Sequence, residues 1–322
     1  MIELNSDQMV FTFPETHPAA KLSIDLQRTL RIPDDDNTYP LPPGLGRFPL
    51  LHVDDYAESV PSSWLDRGGL MLPMYQSEAL WLRFSSADAD RRAPYPFLLR
   101  IAAGKINAVT GETWTDDTTV TGDPDQQDYM VVPEQPWLDG FAIEKGTIRQ
   151  FVAMPLGEGL TAEEQLTGEA HWGGLQIQVH PMRRSVFERR FPKRSENRRM
   201  RSRSSGGDEP LMMGAAAAGG AAEMGLAPGG RMTQKIHSDP FDPSDWELDT
   251  RSRCFVHLCN STTWSSVTGA PPPSTPPTVE DYNKRGLPWF AHYSETPAAG
   301  GTGPVTALKG VAELSSNQIR EF

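Results

Sequence analysis

Cysteine is nearly missing from this chain of 322 residues: only Cys254 and Cys259 occur, both in the run RCFVHLCNS. Five positions apart on a strand, they point to opposite faces, because strand side chains alternate with period two. A disulfide between them is geometrically poor, which excludes a disulfide-stapled scaffold and points to a reducing compartment. Long apolar runs are missing as well. The charge-free stretch near position 211 is Ala/Gly-rich, short and ended by Glu223, so no transmembrane helix is expected. The start, MIELNSDQMVFTF, carries acids where a secretory leader needs cations and has no apolar centre. A cytoplasmic protein without a membrane partner is the expectation.

The familiar catalytic signatures are also lacking. The Gly104-Lys105 pair has neither the upstream glycine nor the following Ser or Thr of a phosphate loop. There is no GxGxxG after a strand, no HExxH, no CxxC pair and no GxSxG elbow, which excludes the standard nucleotide, zincin and α/β-hydrolase readings. No cofactor is predicted.

Helical periodicity is scarce, and short alternating or apolar runs between Gly, Pro, Asn and Asp take its place. They predict strands at 9–13, 21–26, 49–53, 79–84, 97–102, 129–132, 147–154, 175–180, 232–237 and 253–258. Two short helices are expected, one behind the capping box that Thr161 and Glu164 make, the other from Thr278 to about Gly286. The 29 prolines suit many short strands joined by irregular loops. The fold class is therefore mainly β: a sandwich or jelly-roll-like body with one or two short helices and a long disordered insertion.

That insertion is placed at 185–228, an arginine-rich run followed by an alanine- and glycine-rich one, neither able to bury enough apolar surface to offset its ordering entropy. Residues 1–184 form the main body and 229–322 complete it, the alternative being a separate small domain. The flanks 175–180 and 232–237 alternate alike and are expected to pair antiparallel across the insertion, since lengthening a flexible loop costs only about 0.6 kcal/mol per doubling.

Net charge is −12, unevenly spread. From Arg183 to Arg203 there are ten Arg or Lys against Glu188 and Glu196, leaving 20 basic and 40 acidic residues elsewhere. The acidic body repels polyanions, whereas this arm, with Phe187 and Phe191 interleaved for base stacking, has the composition to attract them. It equally suits docking on the acidic body or on an acidic partner.

Four constellations can carry chemistry. His257 and Cys259 share a strand face and make a metal pair if His237 or His292 joins them; the alternative is ordinary core packing. In VPEQPWLDG, Glu134 and Asp139 flank Trp137 in a loop leaving a strand. Paired carboxylates beside an indole bind or cleave sugars, with His171 and Trp289 as further contributors; alternatively Trp137 plugs the end of a sandwich while the acids cap turns. Arg149 and Gln150 interrupt an apolar strand, and Gln150 is either bonded to an adjacent loop or set in a ligand pocket. The basic arm is the fourth.

Several stretches, LPPGLGRFPLL, GGLMLPMYQSEALWLRF, AAGKINAVTGE, QDYMVVPEQPWLDGF, IRQFVAMPLGEGLTAEEQLTG, CFVHLCNS and GLPWFAHY, together resemble a group of uncharacterised microbial proteins of similar length. The resemblance spans most of the chain outside the insertion and implies no activity or site residues. The leading functional expectation is a cytoplasmic, non-enzymatic binding or assembly module that engages a protein partner or itself. The alternatives are a hydrolase or sugar-processing enzyme using Glu134, Asp139 and His171, and a nucleic-acid or acidic-partner tether through the arm.

Overall fold

A computed structural model describes residues 1–89, 93–192, 223–286 and 308–315. Its main strands are β1 (Ile2–Asn5), β2 (Gln8–Thr12), β3 (Lys21–Thr29), β4 (Leu70–Met74), β5 (Ala79–Ser86), β6 (Phe97–Ala103) and β7 (Met130–Val132). Then follow β8 (Trp137–Leu138), β9 (Gly140–Glu144), β10 (Thr147–Pro155), β11 (Leu175–Pro181), β12 (Glu223–Thr233) and β13 (Ser252–Asn260). The mainly β architecture expected from the sequence is the one observed, with the strands joined in one large, largely antiparallel sheet.

Pairing runs β1–β2–β3–β5–β10–β12–β13–β11–β6–β7. Past the turn at 133–136 the chain enters β8, which pairs with β5 again, so the sheet curls back onto one of its own strands. Side chains from all parts of this circuit share one core, among them Leu22, Ile24, Leu26, Leu82, Phe97, Ile101, Phe151, Ile177 and Val256. Each fully buried Leu, Ile or Phe contributes about 1.5–3 kcal/mol relative to exposure. Alternation does the sorting: in β3, Leu22, Ile24 and Leu26 enter the core while Lys21, Ser23 and Asp25 take the outer face.

Both expected helices form. In α2 (Ala162–Thr167) the Thr161 and Glu164 side chains cap one another's backbone, and in α5 (Val279–Lys284) Thr278 and Asp281 do the same. The short helices α1 (Ser62–Arg67), α3 (Arg184–Arg190) and α4 (Trp264–Thr268) are additional. Strands β1, β4, β8 and β9 are additional too, and of the strand expected at 232–237 only Met232 and Thr233 are extended in the sheet, as the end of β12. The run LMLPM is buried throughout and so shows no alternation to read. The strand expected at 49–53 shrinks to Leu51–His52, because Val53 opens a 3-10 turn.

The insertion is smaller than its composition suggests. Residues 184–190 are helical because Val186 and Phe187 are buried, Phe187 lying 4.4 Å from Tyr95 and 5.3 Å from Phe191 between ring centroids. Residues 223–228 belong to β12. A strand rich in Ala and Gly suits this place because small residues admit close neighbours. A Cβ on Gly225 would lie 2.8 Å from Thr161 Cγ2, and one on Gly230 would strike the Pro33 carbonyl. The expected pairing of 175–180 with 232–237 does not occur. Both edges of β11 are taken by β6 and β13, and β12 pairs along β10 instead. The rest of the expected insertion, 193–222, lies outside the described residues.

Cys254 lies in the main core and Cys259 in a separate cluster with Trp64, Met71 and Trp264, so the two thiols occupy opposite faces as their spacing requires, and both are free. Among the described residues no helix is long and apolar enough to cross a membrane.

Candidate functional site

The outer face of β3, β5 and β8 carries the most unusual group of side chains. Register places Asp25 opposite Arg83 and Arg83 opposite Trp137, so these three form one row across the sheet. The next row holds Gln27 and Trp81, with Asp139 in line with them one residue past β8. Residues directly opposite on an antiparallel pair stand about 4.5–5.5 Å apart at Cβ. Their neighbours Leu26, Leu82 and Leu138 point into the core, which is why this set must face out.

Trp137 is 39% exposed and, with Met1, makes up the exposed large hydrophobic residues among those described. Its indole Nε1 donates to Asp139 Oδ2 at 2.8 Å. Its carbonyl accepts from Gln135 Nε2 at 2.9 Å and from Gln234 Nε2 at 3.1 Å. Gln234 Oε1 in turn accepts from the Asp139 backbone N–H at 3.0 Å, and Gln135 Oε1 from His237 N–H at 3.0 Å. Two buried amides thus clamp the backbone beneath an exposed indole, and such preorganisation lowers the entropic cost of recognition.

Asp139 itself is buried, and its Oδ1 has no hydrogen-bond partner among the described residues. Desolvation drives its pKa up to about 7, the indole hydrogen bond opposing the shift. Asp25 is the contrasting case. It is equally buried, but it accepts from Gln8 Nε2 at 2.9 Å, from Arg47 Nε at 3.0 Å and from Gln27 Nε2. With Asp25 so occupied, Arg83 is left exposed beside Trp137 and has no ion-pair partner among the described residues.

The remaining candidates are dispersed. Glu134 is exposed in the 133–136 turn. His171 is exposed with its ring edge-on to Trp172 at 5.1 Å, while its backbone N–H donates to Glu163 Oε1. Arg149 Nη1 donates to Asp34 Oδ1 at 3.1 Å and to the Gly229 carbonyl at 3.0 Å. Gln150 is bonded to a neighbouring segment, donating to the Leu30 carbonyl and accepting from Ile32 N–H. His257 is stacked between Trp64 and Phe255 at 4.6 and 4.4 Å, with Nε2–H donating to the Gly68 carbonyl. Burial holds its pKa down to about 3 and pushes the Cys259 thiol up to about 12. Among the described residues no three His, Cys, Asp or Glu side chains gather as metal ligands. Trp289 and His292 lie outside the described residues.

The described part of the basic arm is engaged within the chain. Arg183 pairs with Glu247 at 2.9 Å and Arg190 with Asp245 at 2.9 Å. Phe187, expected to be available for base stacking, is instead 0% exposed, because it anchors α3 in the core. Residues 193–203 lie outside the described residues.

The sequence singled out Trp137 and Asp139, and the fold joins them directly. It passed over Trp81, Arg83, Gln135 and Gln234. The signal for the first two was in ALWLRFSS, where Trp81 and Arg83 alternate with Leu80, Leu82 and Phe84. No protein-family model, curated protein or solved structure matches this chain.

Proposed function

We propose that the protein is a non-enzymatic binding module, and that its recognition surface is the outer-face patch centred on Trp137 and flanked by Arg83. The observation that carries this reading is Trp137 itself: a tryptophan left 39% exposed while its indole and carbonyl are held by Asp139, Gln135 and Gln234. Tryptophan and arginine dominate the energetics of binding sites, and a rigid indole gives contact area at low entropic cost. A cytoplasmic setting is part of the proposal, supported by the two free thiols.

One observation favours a second reading, sugar hydrolysis with Asp139 as general acid. Its carboxyl titrates near neutrality, as a general acid requires. Against it, the carboxyl is buried beside the indole, and Asp25, the carboxylate that register places on the same face, is occupied by its own donors.

The test is a thermal-shift screen of wild type and Trp137→Ala against panels of oligosaccharides, peptides and nucleotides, with each ligand recovered and weighed by mass spectrometry. The expected result is a ligand class that raises the wild-type Tm, fails to raise that of the variant and is recovered intact. Recovery of cleaved ligand, with cleavage abolished in Asp139→Asn, would install the enzyme reading instead.

A further inference from the structure

We infer that the ligand of this surface is an uncharged saccharide, one ring of which stacks on the exposed face of Trp137 while a hydroxyl accepts from Arg83. The inference rests on the binding-module reading and narrows it to a chemical class.

Three features of the patch select that class. The first is the isolation of the indole. Among the described residues, Met1 and Trp137 are the exposed large hydrophobics, and the side chains around Trp137 on this face are Arg83 and, one step either way along β5, the exposed Ser85 and the half-buried Trp81. A stable protein interface needs an apolar core of several residues within an area of roughly 1,200–2,000 Å². One exposed aromatic plate, with only the half-buried Trp81 as an apolar neighbour, suits a small ligand with a single apolar face, and the C–H face of a sugar ring is such a surface.

Charge is the second feature. Outside the basic stretch the chain holds 20 basic and 40 acidic residues, a field that opposes phosphate- or carboxylate-rich ligands. A single guanidinium beside the indole is too little to reverse it, so nucleotides and acidic peptides are disfavoured.

The third is hydrogen-bond polarity. Arg83 offers only donors, so its partner on the ligand must be an acceptor. A hydroxyl oxygen accepts without carrying a charge, so an uncharged polyol meets this need. Asp139, buried and bonded to the indole N–H, is a positioning residue here: it sets the plane of the plate and does not touch the ligand.

The experiment is a fluorescence and calorimetric titration of the full chain with uncharged oligosaccharides of cello-, malto-, laminari- and chito- type. A random peptide pool and a single-stranded oligonucleotide run as the other arms. At least one saccharide should bind saturably and shift the tryptophan emission. Trp137→Ala should weaken it at least about tenfold, in line with the loss of one stacking contact, and Arg83→Gln by a few-fold. Raising salt from 50 to 500 mM should leave the affinity unchanged, since the ligand carries no charge to screen. Asp139→Asn, which keeps an acceptor for the indole N–H, should bind like wild type, whereas Asp139→Leu should not. Circular dichroism melts of all variants separate loss of the plate from loss of the fold.

If a peptide or a second copy binds in a Trp137-dependent way and no saccharide does, the saccharide assignment is overturned and the binding surface stands. If no ligand of any class depends on Trp137, both fall.

Discussion

At the scale of single residues, Asp139 ties stability to pH. Its carboxyl takes up a proton on folding anywhere between the ordinary value of 3.8 and about 7. In that window the unfolded chain binds fewer protons than the folded one, so this group makes stability fall as pH rises from about 4 to about 7 and level off above. At about 1.4 kcal/mol per pH unit, the span is on the order of a few kcal/mol. Asp139→Asn should remove the slope, so urea melts from pH 4 to 8 should show the variant gaining on wild type across the window. A difference between the two that is the same at every pH would refute it. Two buried histidines act oppositely. Burial holds His180 down to about 4 and His257 down to about 3, so their contribution is lost as pH falls below about 6.5. Both are present in wild type and variant alike and cancel in the comparison.

At the scale of elements, β12 and α3 show how context overrides composition. In β12 the glycines are space rather than slack. Gly230 lies against the Pro33 carbonyl and the Ile32 side chain, and neither neighbour can retreat without disturbing Gln150's bonds to Leu30 and Ile32. Gly230→Ala should therefore destabilise by roughly 1–3 kcal/mol through overpacking, read as a lower urea midpoint; a neutral result would mean that the strands have room to part. Helix α3 is held from two sides, Val186 and Phe187 on the core and Arg189 and Arg190 on Asp245. Asp245 is itself buried and also receives the Asp242 N–H at 3.2 Å. Asp245→Ala should loosen the helix and hasten tryptic cleavage at Arg184, Arg189 and Arg190 several-fold. Wild type should drift the same way in high salt, because Arg189 is mostly exposed and its pair is screened. Unchanged cleavage would show that the aromatic anchor alone fixes the helix.

At the scale of the whole molecule, strands from before and after residues 193–222 share one sheet, with β13 lying against β11 and β12 against β10. The sequence by itself determined the mainly β character, the inward set of strands that alternate cleanly, such as β3, the caps of α2 and α5 and the opposite faces of the two cysteines. Each of these is a local consequence of side-chain alternation or of one side chain bonding a nearby backbone group. It also marked Trp137 and Asp139, as an indole with a carboxylate two residues away in a loop leaving a strand. Only the tertiary structure decided which strands are neighbours, and with that, what each outer face presents. Alternation shows that Arg83 points outward but not that Trp137 lies opposite it, nor that Arg47, Gln8 and Gln27 occupy Asp25 and leave Arg83 without an ion-pair partner among the described residues. Likewise, the run EMGLAP at 223–228 reads as slack chain until β10 and Thr161 close around it. Pairing partners are set by long-range burial and by which edges remain open, a competition among all the strands at once that no local stretch of sequence records.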